Sequence, residues 1–399
     1  MPTAPIVTGR FLNVAKTISF KKGMPNQRIT YVPHPVSGRP AEQVRKYLEG
    51  NDPITGKPIL EELVAALTKP LTEEESRTGF VSRPKRPRLL GPDTPTNLER
   101  MMAENGWTDG LPIVLPTEER VSAMLKGTSR GRDESVGLMR PAPPHEGWEY
   151  NVEMVAAIAV MAGAQPKHFP VILALASTGV TSLFSSTTSF ARMVVVSGPI
   201  AKELGMNSGI GALGPFNESN AVIGRSWTLM SKNLGGSIPG ETYMGSQGNN
   251  LNYNNVCIAE NEDALPAGWK PLHVLRGFKP QESIVSTYSG WSLINHAGAG
   301  ARNIEEFKKL LSSLSASGMG MGVGQAVIML DPIVARDFGE KFNTKESFAN
   351  WLTGSADTPG RGVGASPAME IIVVGGEANP SLTIGDFSYI SSASVDQWR

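Results

Sequence analysis

Apolar positions along this chain change period several times, and the changes divide it. Residues 41–49 can form one helix, and a second opens near Pro58, with Leu60, Leu63, Val64 and Leu67 at helical spacing. From Glu73 to Asn97 the periodicity is lost and charges and prolines collect, including the run Arg83-Pro84-Lys85-Arg86-Pro87-Arg88. Such a run reads as a solvated linker and puts a boundary near residue 95. Further on, Thr117 can cap a short helix that turns Val121, Met124 and Leu125 inward and stops at Gly127. Asn151 can cap the next, with Glu153 in the first turn, where the helix dipole favours a carboxylate. Residues 152–164 and 169–184 are apolar nearly all round, as buried helices are.

Strand signals follow. Arg192 to Ser197 holds three consecutive valines and stops at Gly198-Pro199; Ile284–Tyr288, Gln325–Leu330 and Met369–Val374 read the same way. Asn303-Ile304-Glu305-Glu306 opens an amphipathic helix through Leu314, and Asn343 or Thr344 opens another through Leu352. No repeat of 20–50 residues is evident. The pattern predicts an α/β protein: a layered sheet with buried apolar helices over 96–399, preceded by an extended N-terminal arm and linker over 1–95.

Composition narrows the function classes. Of 399 residues, 40% are hydrophobic and 19% charged, enough to bury a substantial core. The 37 basic and 37 acidic residues cancel, which argues against a nucleic-acid partner. The single cysteine, Cys257, excludes an internal disulfide. The start Met-Pro-Thr-Ala-Pro lacks the layout of a signal peptide, and the apolar stretch Val152–Phe184 is broken by Gln165, Pro166, Lys167 and His168. A cytoplasmic protein without a membrane span is the expectation.

Two segments carry candidate chemistry. Gly198 to Asn255 interleaves glycines, among them Gly209, Gly211 and Gly214, with asparagines, among them Asn207, Asn217 and Asn220, around Arg225. Glycine allows a close backbone approach, carboxamides both donate and accept, and a guanidinium holds an anion, so this segment is a candidate substrate-binding surface. Tight turns use the same residues. The Gly209–Gly214 match to G-x-G-x-x-G is not a dinucleotide site, because Pro215 and Phe216 follow where a helix should open. Cys257 to Gly277 gathers Cys257, Glu260, His273 and Arg276: an imidazole to move protons, a carboxylate to orient it, and a thiol that a cation would activate. His168, in the polar break between two apolar helices, can face a pocket or cap the first helix. The glycine run Gly318, Gly320, Gly322 and Gly324 is unassigned. No metal or cofactor motif is recognised, and the cofactor stays open.

Asn105-Gly106-Trp107-Thr108-Asp109-Gly110-Leu111-Pro112, Pro116 to Val121, Val160-Met161-Ala162-Gly163, Ile223-Gly224-Arg225, and Ala259-Glu260-Asn261-Glu262 leading to Pro271-Leu272-His273-Val274 together resemble a bacterial family associated with UGSC-type proteins. Those proteins carry a selenocysteine or cysteine motif and are loosely related to glycine, sarcosine and betaine reductases. The resemblance spans roughly residues 95–300, and Val32-Pro33-His34-Pro35 and Glu49-Gly50-Asn51-Asp52-Pro53 extend it into the arm. It implies a subunit working beside a thiol- or selenol-bearing partner. Where it leads one to expect a cysteine, after Gly163, this chain has Ala164. Two-electron thiol chemistry needs a second sulfur or selenium. The sequence therefore predicts an enzyme or enzyme subunit, oligomeric by the resemblance, that acts on a small polar or anionic molecule by lyase or reductase-like acid–base chemistry. His273, Glu260 and Cys257 would be catalytic, and Arg225, the asparagines, the glycines and His168 would bind substrate. A non-catalytic substrate-presenting subunit and a stand-alone metal-dependent hydrolase or hydratase are the alternatives.

Overall fold

A computed structural model describes residues 3–79, 87–139, 148–307, 309, 326–355 and 369–399. These gather into two compact units, one from Met1–Pro92 with Ile238–Tyr243, the other from Asp93–Arg140, Gly147–Ser237 and Met244–Arg399. Arg83–Arg86 of the basic run, the glycines from Gly318 to Gly324 and most of the helix expected after Asn303 lie outside the described residues.

The N-terminal segment read as an extended arm has a fold of its own. β1 (Ile6–Thr8) and β2 (Thr30–Val32) pair in parallel around α1 (Leu12–Lys21), and α2 (Ala41–Glu49), α3 (Ile59–Thr68) and α4 (Glu73–Ser76) follow. Buried Asp52 accepts from the backbone N–H of Tyr31 at 2.6 Å and Ile54 at 2.7 Å. Arg28 holds Glu75 through two bonds and takes the carbonyls of Lys69 and Pro70 beyond α3. On α3 the inward position is Ile59, while Leu60, Val64 and Leu67 are exposed, so the face that the spacing predicts as buried is turned outward.

In the second unit α5 (Pro95–Glu104) and α6 (Glu118–Leu125) precede a small antiparallel pair, β3 (Ser135–Met139) with β4 (Trp148–Asn151). Thr117 caps α6 by accepting from Arg120 N–H, and Asn151 caps α7 (Val152–Met161) by accepting from Met154 N–H. Both α7 and α8 (Phe169–Ser177) bury most of their residues, as apolar helices must.

Six strands form the main sheet: β5 (Ala191–Ser197), β6 (Val256–Ala259), β7 (Ile284–Ala297), β8 (Ala326–Leu330), β9 (Met369–Val373) and β10 (Ser381–Ser394), in the order β6-β5-β7-β10-β8-β9. β5 runs parallel to β6 and β8 parallel to β9, while the long strands β7 and β10 pair antiparallel at the centre. One three-strand arrangement thus occurs twice. A flat sheet would keep its edge strands about 24 Å apart at about 4.8 Å per strand. Here the edges meet: Asn261, just past β6, donates its N–H to Val373 O of β9 at 2.7 Å and its side chain to Gly375 O at 3.2 Å. Val256 and Ile258 from one edge share a core with Ile372 and Val374 from the other, around Met193, Tyr288, Met329 and Phe387. The sheet is curled nearly shut around that core.

Helices cover its outer face. α7, α8 and α10 (Glu218–Asn233) lie over one half, with α9 (Ile200–Glu203) beside them. Past α11 (Leu272–Leu275), α12 (Pro332–Gly339) and α13 (Lys345–Ser355) cover the other half through Phe338 and Phe348. No described helix is long and apolar enough to cross a membrane.

Candidate functional site at the ends of two parallel strands

Parallel strands leave a crevice beyond their carboxyl ends, where the chain departs in different directions. β5 ends in Ser197-Gly198-Pro199. Gly198 has φ 104°, and a Cβ there would stand 2.4 Å from Glu282 O, so only glycine makes the turn. β6 runs on into Glu260-Asn261-Glu262-Asp263. Between the two strand ends lies a cavity of about 300 Å³, lined by Gly198, Pro199, Lys202, Met206, Ser208 and the residues Glu260 to Asp263.

Glu262 is its best-supported carboxylate. Its Oε1 accepts from Gly198 N–H at 2.7 Å and from Ser197 Oγ at 2.9 Å, and lies 3.3 Å from His273 Nδ1. His273, on α11, is buried, with Nδ1 2.9 Å from Ser197 Oγ and Nε2 donating to Pro280 O at 3.3 Å. Ser197 gives its proton to Glu262, so the partners of His273 are best satisfied when both ring nitrogens carry hydrogen. Burial opposes that charge, but the bond to Glu262 and its negative charge outweigh it and raise the His273 pKa. Burial likewise works against the Glu262 carboxylate, and the donors from His273, Gly198 and Ser197 overcome it, holding its pKa below the ordinary value. The result is a coupled acid–base pair with its carboxylate on a cavity wall.

Glu260 sits differently. Its Oε1 pairs with Lys345 at the start of α13 and its Oε2 accepts from Leu272 N–H at 2.6 Å, with both ionic side chains almost wholly buried. The carboxylate is thus already engaged on both oxygens. Arg276 binds Glu370 of β9 through two contacts of 2.8 Å and lies 3.6 Å from the centre of the Tyr389 ring. Asp263 pairs with Lys202 on the surface.

The other residues singled out from the sequence go elsewhere. Cys257 faces the helices covering β6, where burial pushes its thiol up to about 12; among the described residues no cation activates it. Arg225, expected to hold a substrate anion, holds Asp109 through contacts of 2.8 and 3.0 Å and donates to Pro112 O at 2.7 Å. No hydrogen bond or ion pair joins it to His273 among the described residues. Asn207 and Asn217 spend their carboxamides on their own loop, and Asn220 ties that loop to β6 by donating also to Cys257 O at 3.3 Å. Asn207 donates to Asn217 and Ile210 O, Asn217 to Gly211 O and Gly214 O, and Asn220 to Asn207 O, while Asn207 accepts from Gly209 N–H. Gly211 and Gly214 line a separate cavity of about 300 Å³ with Asp331, Gly375 and Ser381, at the ends of β8 and β9. Asn217, Asn220 and Cys257 border a smaller one of about 150 Å³. His168 is buried, accepting from Gln165 N–H at 3.0 Å and facing Ser219 Oγ at 3.0 Å; it fastens the start of α8 to α10.

Two residues of the cluster, Ser197 and Glu262, were not anticipated. Glu262 stands in a Glu-Asn-Glu-Asp run that resembles a solvated loop, and Ser197 closes a strand of valines; only the glycine-proline stop after Ser197 hints that the chain turns there beside something. The motifs that carry the family resemblance do meet in pairs. Asp109 grips Arg225, and Leu272 N–H reaches Glu260. Among the described residues no group of three or more His, Cys, Asp or Glu side chains is arranged to hold a metal ion. No curated protein matches the sequence. The model described as the UGSC family matches residues 1–51, a segment holding Val32-Pro33-His34-Pro35.

Proposed function

We propose that the chain is an enzyme or enzyme subunit that takes a small polar molecule into the cleft between β5 and β6 and exchanges a proton with it through Glu262 and His273. The observation that carries this reading is the placement of Glu262. It lines the cavity, while its Oε1 is held by Gly198, Ser197 and His273 from behind. A carboxylate so buttressed is first a hydrogen-bond acceptor, and the imidazolium behind it is the group whose proton is labile near neutrality. Lys202 and Lys345 already pair with Asp263 and Glu260, so the wall offers acceptors and favours a guest bearing an amine or hydroxyl over an anion. Redox chemistry, if it belongs to this reaction, falls to a thiol- or selenol-bearing partner, because Cys257 is buried and protonated.

The test is nitrogen-resolved NMR of the histidine rings in the full chain during titration with ethanolamine and, separately, acetate. Ethanolamine is expected to move the His273 signals in the wild type and not in Glu262→Gln, and acetate to leave them unmoved. His273 signals indifferent to ethanolamine would remove the proposal. The alternative of a non-catalytic, substrate-presenting subunit draws on the same pairing of charges. It expects ethanolamine to bind with the His273 titration midpoint unchanged.

A further inference from the structure

The two halves of the main sheet correspond at their strand ends. Glu260 N–H donates to Val196 O at 3.2 Å where β6 leaves β5, and Val374 N–H donates to Leu330 O at 2.8 Å where β9 leaves β8. Val196 stands opposite Ala259 and Val285, and Leu330 opposite Val373 and Leu382. Counting on from those pairs sets Asp331 at the place of Ser197 and Gly376 at the place of Glu262. Both strands then run into a Pro-Ile pair where a helix opens, Pro199-Ile200 at α9 and Pro332-Ile333 at α12. The cleft beyond β5 and β6 therefore has a counterpart in the cavity beyond β8 and β9. Its volume of about 300 Å³ is at the low end for small-molecule pockets.

A carboxylate again stands at the strand ends, but it comes from the other strand. At the place of Glu262 a side chain is shut out, because a Cβ on Gly376 would stand 2.8 Å from Ile210 N. Asp331 supplies the charge instead. It is 4% exposed, with Oδ1 accepting from Val334 N–H at 2.8 Å and Oδ2 from Ser381 N–H. No ion pair reaches it among the described residues; Arg302, near enough to feel its charge, is bonded to Asp337. Burial raises the Asp331 pKa despite the backbone donors, as expected of a carboxylate with no cation against it. Buried charges are as a rule paired, and no described lysine, arginine or histidine lines this cavity. After one backbone bond each, both carboxylate oxygens can still accept. Ser381, Thr383 and Asn295 add further acceptors to the wall, and Leu213, Met329 and Val374 make much of the rest apolar. The wall formed by the glycine loop is braced: Gly375 N–H donates to Ser208 O at 2.8 Å, and Asn217 holds Gly211 O and Gly214 O.

We propose that this cavity is a second binding site, which takes a small organic cation, a primary ammonium on a short apolar body, with the ammonium facing Asp331 and the body against Leu213 and Met329. An ammonium brings three donors and no acceptor, which suits a wall of oxygens. It also supplies the counter-charge that the chain leaves out.

n-Butylammonium chloride and n-butanol are titrated by calorimetry into the full chain carrying Glu262→Gln. That background removes the carboxylate of the β5/β6 cleft, so the two sites succeed or fail separately. The ammonium is expected to bind at least tenfold tighter than the alcohol. Adding Asp331→Asn, whose carboxamide still caps α12, is expected to abolish that preference. Ala378→Trp, at the exposed mouth of the cavity, is expected to weaken ammonium binding at least tenfold. Absence of ammonium binding, equal affinity for the two probes, or a preference unchanged by Asp331→Asn overturns the proposal. Should the asparagine variant fail to fold, an unchanged affinity in Ala378→Trp does the same.

Discussion

Two buried histidines of this chain titrate in opposite directions, and the difference lies entirely in their neighbours. His168 accepts from a backbone N–H at Nδ1 and faces a serine hydroxyl that is itself donating to Leu204 O, so its neutral form completes every bond. Burial, aided by Lys167, pushes its pKa down to about 4. His273 has Glu262 beside it, and its pKa is raised. The signs for stability follow from linkage. His168, depressed from an unfolded value of about 6.5, contributes fully above that value, and its contribution is lost as pH falls toward 4. His273 contributes fully below its unfolded value and loses that contribution as pH rises through its folded one. We predict that acidification from pH 6.5 to 4 costs the wild type on the order of 3 kcal/mol through His168, at about 1.4 kcal/mol per pKa unit. Denaturant melts of wild type and His168→Gln across that range check this: the variant starts less stable but shows a shallower acid slope. Nothing in the sequence distinguishes the two histidines, because the deciding partners are 51 and 11 residues away, Ser219 and Glu262.

At the scale of elements, apolar period was a sound guide where one face or all faces are buried. α7 and the valine strand β5 stand within a few residues of their predicted places, α8 starts where predicted but ends at Ser177, seven residues short of Phe184, and Thr117 and Asn151 cap as their positions suggest. Period failed where polar residues are buried. α10 reads Glu-Ser-Asn-Ala-Val-Ile-Gly-Arg-Ser and falls in the segment read as a substrate-binding surface, the short strand β6 falls largely in the segment from Cys257 read for its acid–base chemistry, and the serine-rich β10 carries no strand reading. In α10 the polar residues have specific partners, and Gly224 is required by a neighbour: a Cβ there would stand 1.8 Å from Asn254 O. Gly224→Ala is therefore expected to destabilise the protein by about 1–3 kcal/mol, as overpacking does, although alanine favours helix over glycine. Urea denaturation decides between the two effects. A stabilised variant would mean that the helix does not press on the segment before β6.

For the second unit as a whole, closure of the sheet brings together residues that the chain keeps far apart. Glu260 ends one edge strand, and Lys345, 85 residues on, opens a helix over the other half, yet the two meet in the interior. Removing one member leaves the other charge buried alone. Lys345→Met should cost about 3–5 kcal/mol, and Glu260→Gln with Lys345→Met should recover much of that loss. A double-mutant cycle by chemical denaturation measures it, and additive single losses would show that the pair does not couple. Arg225, on a covering helix, is held by Asp109, and His273, by the strand ends, lies beside Glu262.

What the amino-acid order determined by itself is the α/β class, the apolar helices, the main strand positions and several helix caps, because these depend on contacts within a few residues and on burial periodicity. Only the tertiary structure decided which acids, bases and carboxamides meet. Hydrogen bonds and charge pairs act over a few ångströms in space, and the partners of Glu262 and Arg225 come from strands and helices that sequence distance does not order. Whether an asparagine binds a guest or braces a loop, or a carboxylate is paired or waiting, follows from what the curled sheet sets beside it.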